Sequence, residues 1–288
     1  ALAEIRKALA QHHGALLTLH GAAETLIPAL AKETGAKCVF WHPRVHAKER
    51  EQDDGSADAL SKNGVSVTAD WGTVLLDPER VRTKEEKFYR VFTAFWKAFQ
   101  LQDVPDPVDA PSHLSFYPVE SDLLSNHRLD EQALLPTQPD WAAGLRSHWE
   151  PGEMEGQEHL EDFLKHDCTR YGTGRDELGR EGTSRLSPYL ASGAVSPRQV
   201  WAAIQHKGAS EEGARIFLSE IGWREFAKYT LFHQPLLPKT SLTQKLSSTS
   251  WRTTHTDLEA RQHGRNGITV VAARTRQLWV TWCMHTRA

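Results

Sequence analysis

The chain has 288 residues, 39% apolar and 25% charged, which suits one large domain or two ordinary ones with a real core and excludes a chain disordered throughout. A formal net charge of −3 excludes a histone-like or uniformly basic nucleic-acid binder, so any DNA contact must be regional. Cys38, Cys168 and Cys283 stand far apart with no C-x-x-C pair, which excludes a disulfide framework and a cysteine zinc site and predicts a reducing, cytoplasmic setting.

The opening ALAEIRKALAQHHGALLTLHG reads as an amphipathic helix leading into a strand, with no apolar run of signal or membrane length, so no membrane partner is expected. From Gly14 to about Leu76 the pattern alternates. GALLTLHG reads as a strand, AAETLIPALAKETG as a helix stopped by Gly35, KCVFW as a strand, the next segment as a charged helix, and VSVTADWGTVLL as a strand. Gly64 is placed to end the charged helix and release the strand after it. The fold class is therefore an α/β domain with a parallel, Rossmann-like sheet over residues 1–102, and three strands is few for such a sheet, so further strands are expected to precede Ala1. Lys84-Glu85-Glu86-Lys87 reads as a solvated turn. Residues 103–155, punctuated by Pro105, Pro107, Pro111, Pro118, Pro136, Pro139 and Pro151, read as an interdomain connector, and residues 156–288 as an all-α domain.

Two segments carry chemistry. In YGTGRDELGREGTSRLSPYLASGAVSPRQVW, from Tyr171 to Trp201, Ser187-Pro188 and Ser196-Pro197 each place an N-capping serine before a first-turn proline. Gly182-Thr183-Ser184-Arg185 then supplies hydroxyls, backbone N–H groups and a guanidinium beside a positive helix end, which suits a phosphate; an ordinary capped loop has the same look. Gly172-Thr173-Gly174 is no dinucleotide fingerprint, since no strand precedes it and the third glycine is misplaced. In the second segment, IFLSEIGWREF, the spacing predicts one helical stripe shared by Glu220, Trp223, Arg224 and Ala227. A carboxylate, an indole and a guanidinium suit a pocket that stacks on a base and bonds its polar edge; a plain i, i+4 Glu–Arg pair beside a half-buried tryptophan is the other reading. No G-x-S-x-G elbow or phosphate loop of the G-x-x-x-x-G-K type occurs, and the fifteen histidines lack metal-ligand spacing.

These segments, in this order, resemble the photolyase and cryptochrome family, in which T-S-R-L-S followed by a helix bearing E-x-x-W-R-E-F is distinctive, and within it the class I cyclobutane pyrimidine dimer photolyases. GALLTLHGAAETLIPALAKETGAKCVFWHPR and Tyr89-Arg90-Val91-Phe92-Thr93-Ala94-Phe95 are similar to the family's antenna domain, and HGRNGITVVAARTRQLWVTWCMHTR to an altered core motif. The resemblance implies a helical FAD-binding domain, with Tyr171, Thr183, Ser184, Arg185, Leu186, Ser187 and Phe217 at the cofactor. It implies Glu220, Trp223, Arg224 and Arg287 at UV-damaged DNA, and Trp251 as the outermost electron-transfer tryptophan, in a monomeric, cytoplasmic, nucleoid-associated protein. In the family's repair reaction light excites reduced flavin, which donates an electron to a flipped-out pyrimidine dimer, the ring splits and the electron returns.

The same resemblance implies a chain shortened at both ends. It also marks departures: Arg261, Asn266, Ile268, Thr269, Ala272, Thr275, Trp282, Cys283 and Thr286 stand at altered positions, and a core Trp exchanged for Cys283 would cost on the order of several kcal/mol. Ala94 replaces a proline, and Lys87 an acidic residue of folate-binding relatives, so a second antenna chromophore, folate or deazaflavin, stays unassigned. The functional expectation is light-driven dimer repair; the alternatives are a cryptochrome-type blue-light photoreceptor and an inactive remnant.

Overall fold

The structure, a computed structural model, describes residues 2–111, 113–117, 127–130, 134–177, 179–208 and 211–242. Trp251, Cys283, Arg287 and the altered motif around them lie outside the described residues. The chain opens with α1 (Leu2–Gln11) and α2 (Ala23–Thr34). Helix α2 ends where predicted, at Gly35, whose φ of 66° lets its N–H turn back to the Ala31 and Lys32 carbonyls.

Strands β1 (Cys38–Trp41) and β2 (Ser66–Ala69) pair in parallel, Cys38 opposite Ser66 through Trp41 opposite Ala69, and α3 (Ala47–Lys62) forms the crossover between them. Leu60, Ala31 and Val65 are buried between the α2–α3 pair and the sheet, against Ile27, Val39, Trp41 and Val67. The Lys84–Lys87 run forms a turn, closed by the Thr83 N–H donating to the Lys87 carbonyl. No helix among the described residues is long and apolar enough to cross a membrane.

Two predicted strands are corrected. GALLTLHG does not join the sheet among the described residues: Leu19 forms an antiparallel bridge with Arg128, and the His20 N–H donates to the His127 carbonyl at 2.7 Å. Its alternation specifies one face to bury but not which backbone pairs with it, and the connector supplies that backbone. VSVTADWGTVLL is a strand only to Ala69. The chain then leaves the sheet, and Val74, Leu75 and Leu76 are buried at 1%, 0% and 3% exposure.

Among the described residues the remaining α-helices are α4 (Phe92–Phe99), α5 (Ala143–Arg146), α6 (Glu153–His166), α7 (Tyr171–Gly174), α8 (Ser187–Ser192), α9 (Pro197–Gly208) and α10 (Glu212–His233). Their core joins Leu75, Leu76, Phe95 and Phe99 to Leu160, Phe163, Leu186, Val200, Phe217 and Ile221. Segments expected in the first domain thus bury their apolar side chains in the second. Ser196 caps α9 as predicted: the Gln199 N–H donates to its hydroxyl at 3.1 Å while the Ser196 N–H donates to the Gln199 side chain at 2.7 Å, a reciprocal box. Ser187 does not repeat this, because it is already the first residue of α8 and no side chain caps that helix.

The seam between the two units is polar and buried. The Leu75 N–H donates to Glu225 Oε2 at 2.8 Å, and Arg224 Nη1 donates to Glu225 Oε1 at 3.0 Å. Arg224 Nη2 and Lys228 Nζ both donate to the Thr73 carbonyl at 3.0 Å, and Arg198 reaches the carbonyls of Leu75 at 3.3 Å and Trp71 at 3.1 Å. Glu225 is 4% exposed and Arg224 9%. Removing one member of a buried charged pair strands the other, so Glu225→Ala is expected to lower unfolding free energy by about 3–5 kcal/mol in urea titrations, with Glu225→Gln losing less because it still accepts from Leu75. Lys228 supplies a second test. Burial, aided by the Arg224 charge, lowers its pKa from 10.5 to about 8. Between pH 8 and 10 the unfolded chain keeps a proton that the folded chain releases, so stability should rise across that window by on the order of 1–2 kcal/mol and the rise should vanish in Lys228→Met.

Candidate functional site

Tyr171 opens the four-residue α7 and is 1% exposed, packed edge-on against Phe163 at 5.6 Å and Phe217 at 5.0 Å between ring centroids. Burial, together with the nearby Glu220 carboxylate, pushes its hydroxyl up to about 12. Phe217, at 0% exposure, lies against Phe163 at 4.5 Å. Gly172-Thr173-Gly174 belongs to this helical turn, and Gly174 supports the loop that returns past it. A Cβ on Gly182 would stand 2.4 Å from the Gly174 carbonyl oxygen, so only glycine fits there.

The loop from Gly182 into α8 does not present all five predicted residues to one point. Leu186 is core at 0% exposure, and Ser184, at 2%, turns its hydroxyl back to accept from the Leu186 N–H at 3.4 Å. Thr183 and Ser187 are half-buried. Arg185 adopts a left-handed φ of 54° and stacks its guanidinium over Trp149, 4.5 Å from the ring centroid. Its Nη2 donates to the His148 carbonyl at 3.2 Å, and its Nη1 lies 3.4 Å from Glu181, whose side chain is 83% exposed. A hydroxyl, a guanidinium and a second hydroxyl around one turn suit an anionic group such as a pyrophosphate. The six-residue α8 adds little dipole, so side-chain donors carry this fit.

On α10 the predicted stripe separates. Glu220, 8% exposed, turns toward α7 and makes a close ion pair with Arg175, whose guanidinium also lies over the Tyr171 ring at 5.6 Å. Trp223 is 40% exposed and lies flat on Phe92 of α4, ring centroids 3.7 Å apart at 11°. Arg224 points into the interdomain seam, with both terminal nitrogens engaged there, which differs from the expected DNA contact; a helical stripe fixes direction from the axis, and the loop at Thr73 occupies the direction Arg224 takes. The i, i+4 pairing of Glu220 with Arg224 does not form either, because Arg175 takes the carboxylate. Sequence reasoning missed Arg175, Phe92 and Trp149 as partners. Arg175 is four residues past Tyr171 on a helical turn, a spacing that could have drawn attention to it; nothing local marks Trp149. Among the described residues no group of His, Cys, Asp and Glu is arranged to hold a metal ion.

Residues 1–112 match the family model of the DNA photolyase domain, and residues 217–288 match that of the FAD binding domain of DNA photolyase. A deoxyribodipyrimidine photo-lyase of Agrobacterium fabrum is 36% identical over 99% of this chain and 60% of its own length. The chain belongs to the DNA photolyase and cryptochrome family. Another deoxyribodipyrimidine photo-lyase, from Thermus thermophilus, is 32% identical over 99% of this chain and 61% of itself. The solved bacterial class III photolyase of Agrobacterium tumefaciens superposes with a TM-score of 0.82 at 36% identity, over 100% of this chain and 60% of that one. A Synechocystis cryptochrome shares the fold, with a TM-score of 0.68 at 23% identity over 82% of this chain and 50% of that one. This photolyase-family chain therefore has an N-terminal α/β domain followed by helices of the FAD-binding domain, and it spans about 60% of the length of the curated photo-lyases just named.

Within that frame, the Arg175–Glu220 pair ties the Tyr171 turn to α10. Each single substitution, Arg175→Ala or Glu220→Ala, is expected to cost about 2–4 kcal/mol by leaving a largely buried charge unpaired. A double-mutant cycle in urea should return a coupling of about 1–3 kcal/mol, and additivity would show that the pair contributes nothing specific.

Proposed function

We propose that this chain is part of a light-driven DNA repair flavoprotein, a deoxyribodipyrimidine photolyase that splits cyclobutane pyrimidine dimers with reduced FAD. The observation that carries the reading is Arg185, held out of the T-S-R-L-S loop between buried Ser184 and buried Leu186 with, among the described residues, only a carbonyl and an exposed carboxylate as polar partners. Thr183, Arg185 and Ser187 would hold the phosphates of FAD, and Tyr171, Leu186 and Phe217 would form the packed floor that keeps that loop in place. When bound, FAD supplies the electron that opens the dimer, and the protein binds, orients and excludes water.

The lesion side of the reading rests on Trp223. An indole exposed at 40% and already braced by Phe92 gives a stacking surface for a flipped base. Glu220 would meet the polar edge of that base after leaving Arg175, while Arg224 is assigned to the interdomain seam and not to DNA. The reading includes a monomeric protein that works on UV-damaged DNA in the cytoplasm. One observation favours a second reading, a cryptochrome-type photoreceptor that keeps flavin without repair: the carboxylate expected at the lesion is closed off by its pair with Arg175.

The chain, incubated with FAD and freed of unbound ligand, should retain structured flavin absorption bands, and Arg185→Ala should weaken retention by about tenfold or more through loss of a charge-assisted bond. Blue light should then restore a dimer-containing oligonucleotide, with Trp223→Ala impaired. Flavin retention without repair would support the photoreceptor reading, and an empty spectrum would sink both.

A further inference from the structure

We propose that a cavity between α4, α9 and α10, away from the T-S-R-L-S loop, binds a nucleotide unit: an aromatic heterocycle carrying a phosphate. The cavity is open to solvent and has a volume of about 450 Å³, within the size range of small-ligand sites. Two of its walls are indoles. Trp96 and Trp201 are half-buried, with centroids 6.1 Å apart and ring planes at 82°, so they meet edge-to-face and form an aromatic corner in the wall.

The polar lining is specific in kind. Gln100 and Gln205, both exposed, bring amides that donate and accept, as the edge of a base requires. Ser219 adds a hydroxyl. Arg215 is exposed, and among the described residues no side-chain hydrogen bond or ion pair engages its guanidinium; no acidic residue lines the cavity. A purely apolar ligand would leave that cation and both amides without use, and a bare anion would leave the indole corner without use. A base joined to a phosphate uses all of them.

Ring contacts link one wall of the cavity, Trp96, to the exposed aromatic surface. Trp223 stacks on Phe92, and Phe92 lies nearly parallel to Trp96 at 6.1 Å. The nucleotide unit can therefore come from a free mononucleotide or from an unstacked residue of a single strand, and both present the same chemistry. The inference does not rest on the flavin or dimer reading, since none of the six residues belongs to it.

The test is a titration of the full chain with dAMP, adenosine and inorganic phosphate by calorimetry and ligand-observed NMR. We expect saturable dAMP binding, with adenosine and phosphate each weaker by about tenfold or more. Arg215→Ala should remove the advantage of dAMP over adenosine, and Gln205→Ala, on the exposed rim, should weaken dAMP without affecting folding. Arg185→Ala should leave dAMP binding unchanged, which separates this site from the flavin cradle. If a short single-stranded oligonucleotide displaces dAMP with the same dependence on Arg215, the source is DNA; if it does not, the ligand is a free nucleotide. Absence of saturable dAMP binding, or binding that survives Arg215→Ala and disappears with Arg185→Ala, would overturn the proposal.

Discussion

One buried carboxylate governs how this molecule is assembled. Glu225 accepts from the Leu75 backbone and from Arg224, and so joins the segment leaving β2 to the middle of the longest helix. Burial pushes its carboxyl up, and the adjacent Arg224 guanidinium opposes that shift. Among the described residues the sheet has two strands, and the contacts with α10 join it to a larger core. The anchoring is built from directed hydrogen bonds: three cations converge on the carbonyls of Trp71, Thr73 and Leu75. An apolar seam of similar volume could be as stable, but it would not specify which carbonyl meets which helix turn. Further along α10, the Arg50 guanidinium caps the Phe232 carbonyl at 3.1 Å and lies 4.1 Å from the Phe232 ring, and His233 reaches the Pro78 carbonyl at 3.1 Å. The helix is thus held along its C-terminal half by the α/β unit.

That constraint determines what the N-terminal half of α10 can do. With residues 224, 225 and 228 committed to the seam, helical geometry turns Phe217 and Glu220 toward the α6–α7 side and Trp223 toward α4. A single rigid element therefore relates the Tyr171 turn, the exposed indole and the seam to one another. The division also separates roles that the sequence had grouped. Glu220 is paired and buried, Trp223 is braced and open, and Arg224 is bonded into the seam.

The legible parts of the fold were those decided by local backbone chemistry. Gly35 ends α2 because a left-handed residue must follow a helix that bonds back on itself, and Ser196 with Gln199 closes a capping box that needs only four residues. The parts that escaped were decided by partners distant in the chain. Val74, Leu75 and Leu76 continue an apolar run that reads as strand, yet Leu75 and Leu76 join a core built from α4 and from helices far along the chain, and the Leu75 N–H finds a carboxylate in place of a neighbouring strand. Ser187 fails as a cap because Leu186 before it already has helical φ and ψ, a consequence of Leu186 being drawn into the core. Arg224 read as part of a base-recognising stripe because its spacing from Glu220 and Trp223 says nothing about the loop at Thr73 that receives it.

The geometry of the T-S-R-L-S loop follows from the same competition between core and surface. Ser184 and Leu186 are both buried, and an extended strand would put them on one face with Arg185 on the other. Here the chain is instead entering a helix, where consecutive side chains are only about 100° apart and a residue between two buried ones would be driven partly inward. The left-handed conformation at Arg185, φ 54°, resolves this by rotating its side chain outward while its neighbours stay packed. Such a conformation costs a non-glycine residue roughly 1 kcal/mol and persists only where surrounding contacts over-determine it. Those contacts are present: Gly182 lies against the Gly174 backbone on one side, Leu186 is locked in the core on the other, and Trp149 supports the guanidinium. Packing that could have been relieved by a glycine or a small residue at position 185 is instead used to hold a guanidinium against Trp149 at the edge of the core.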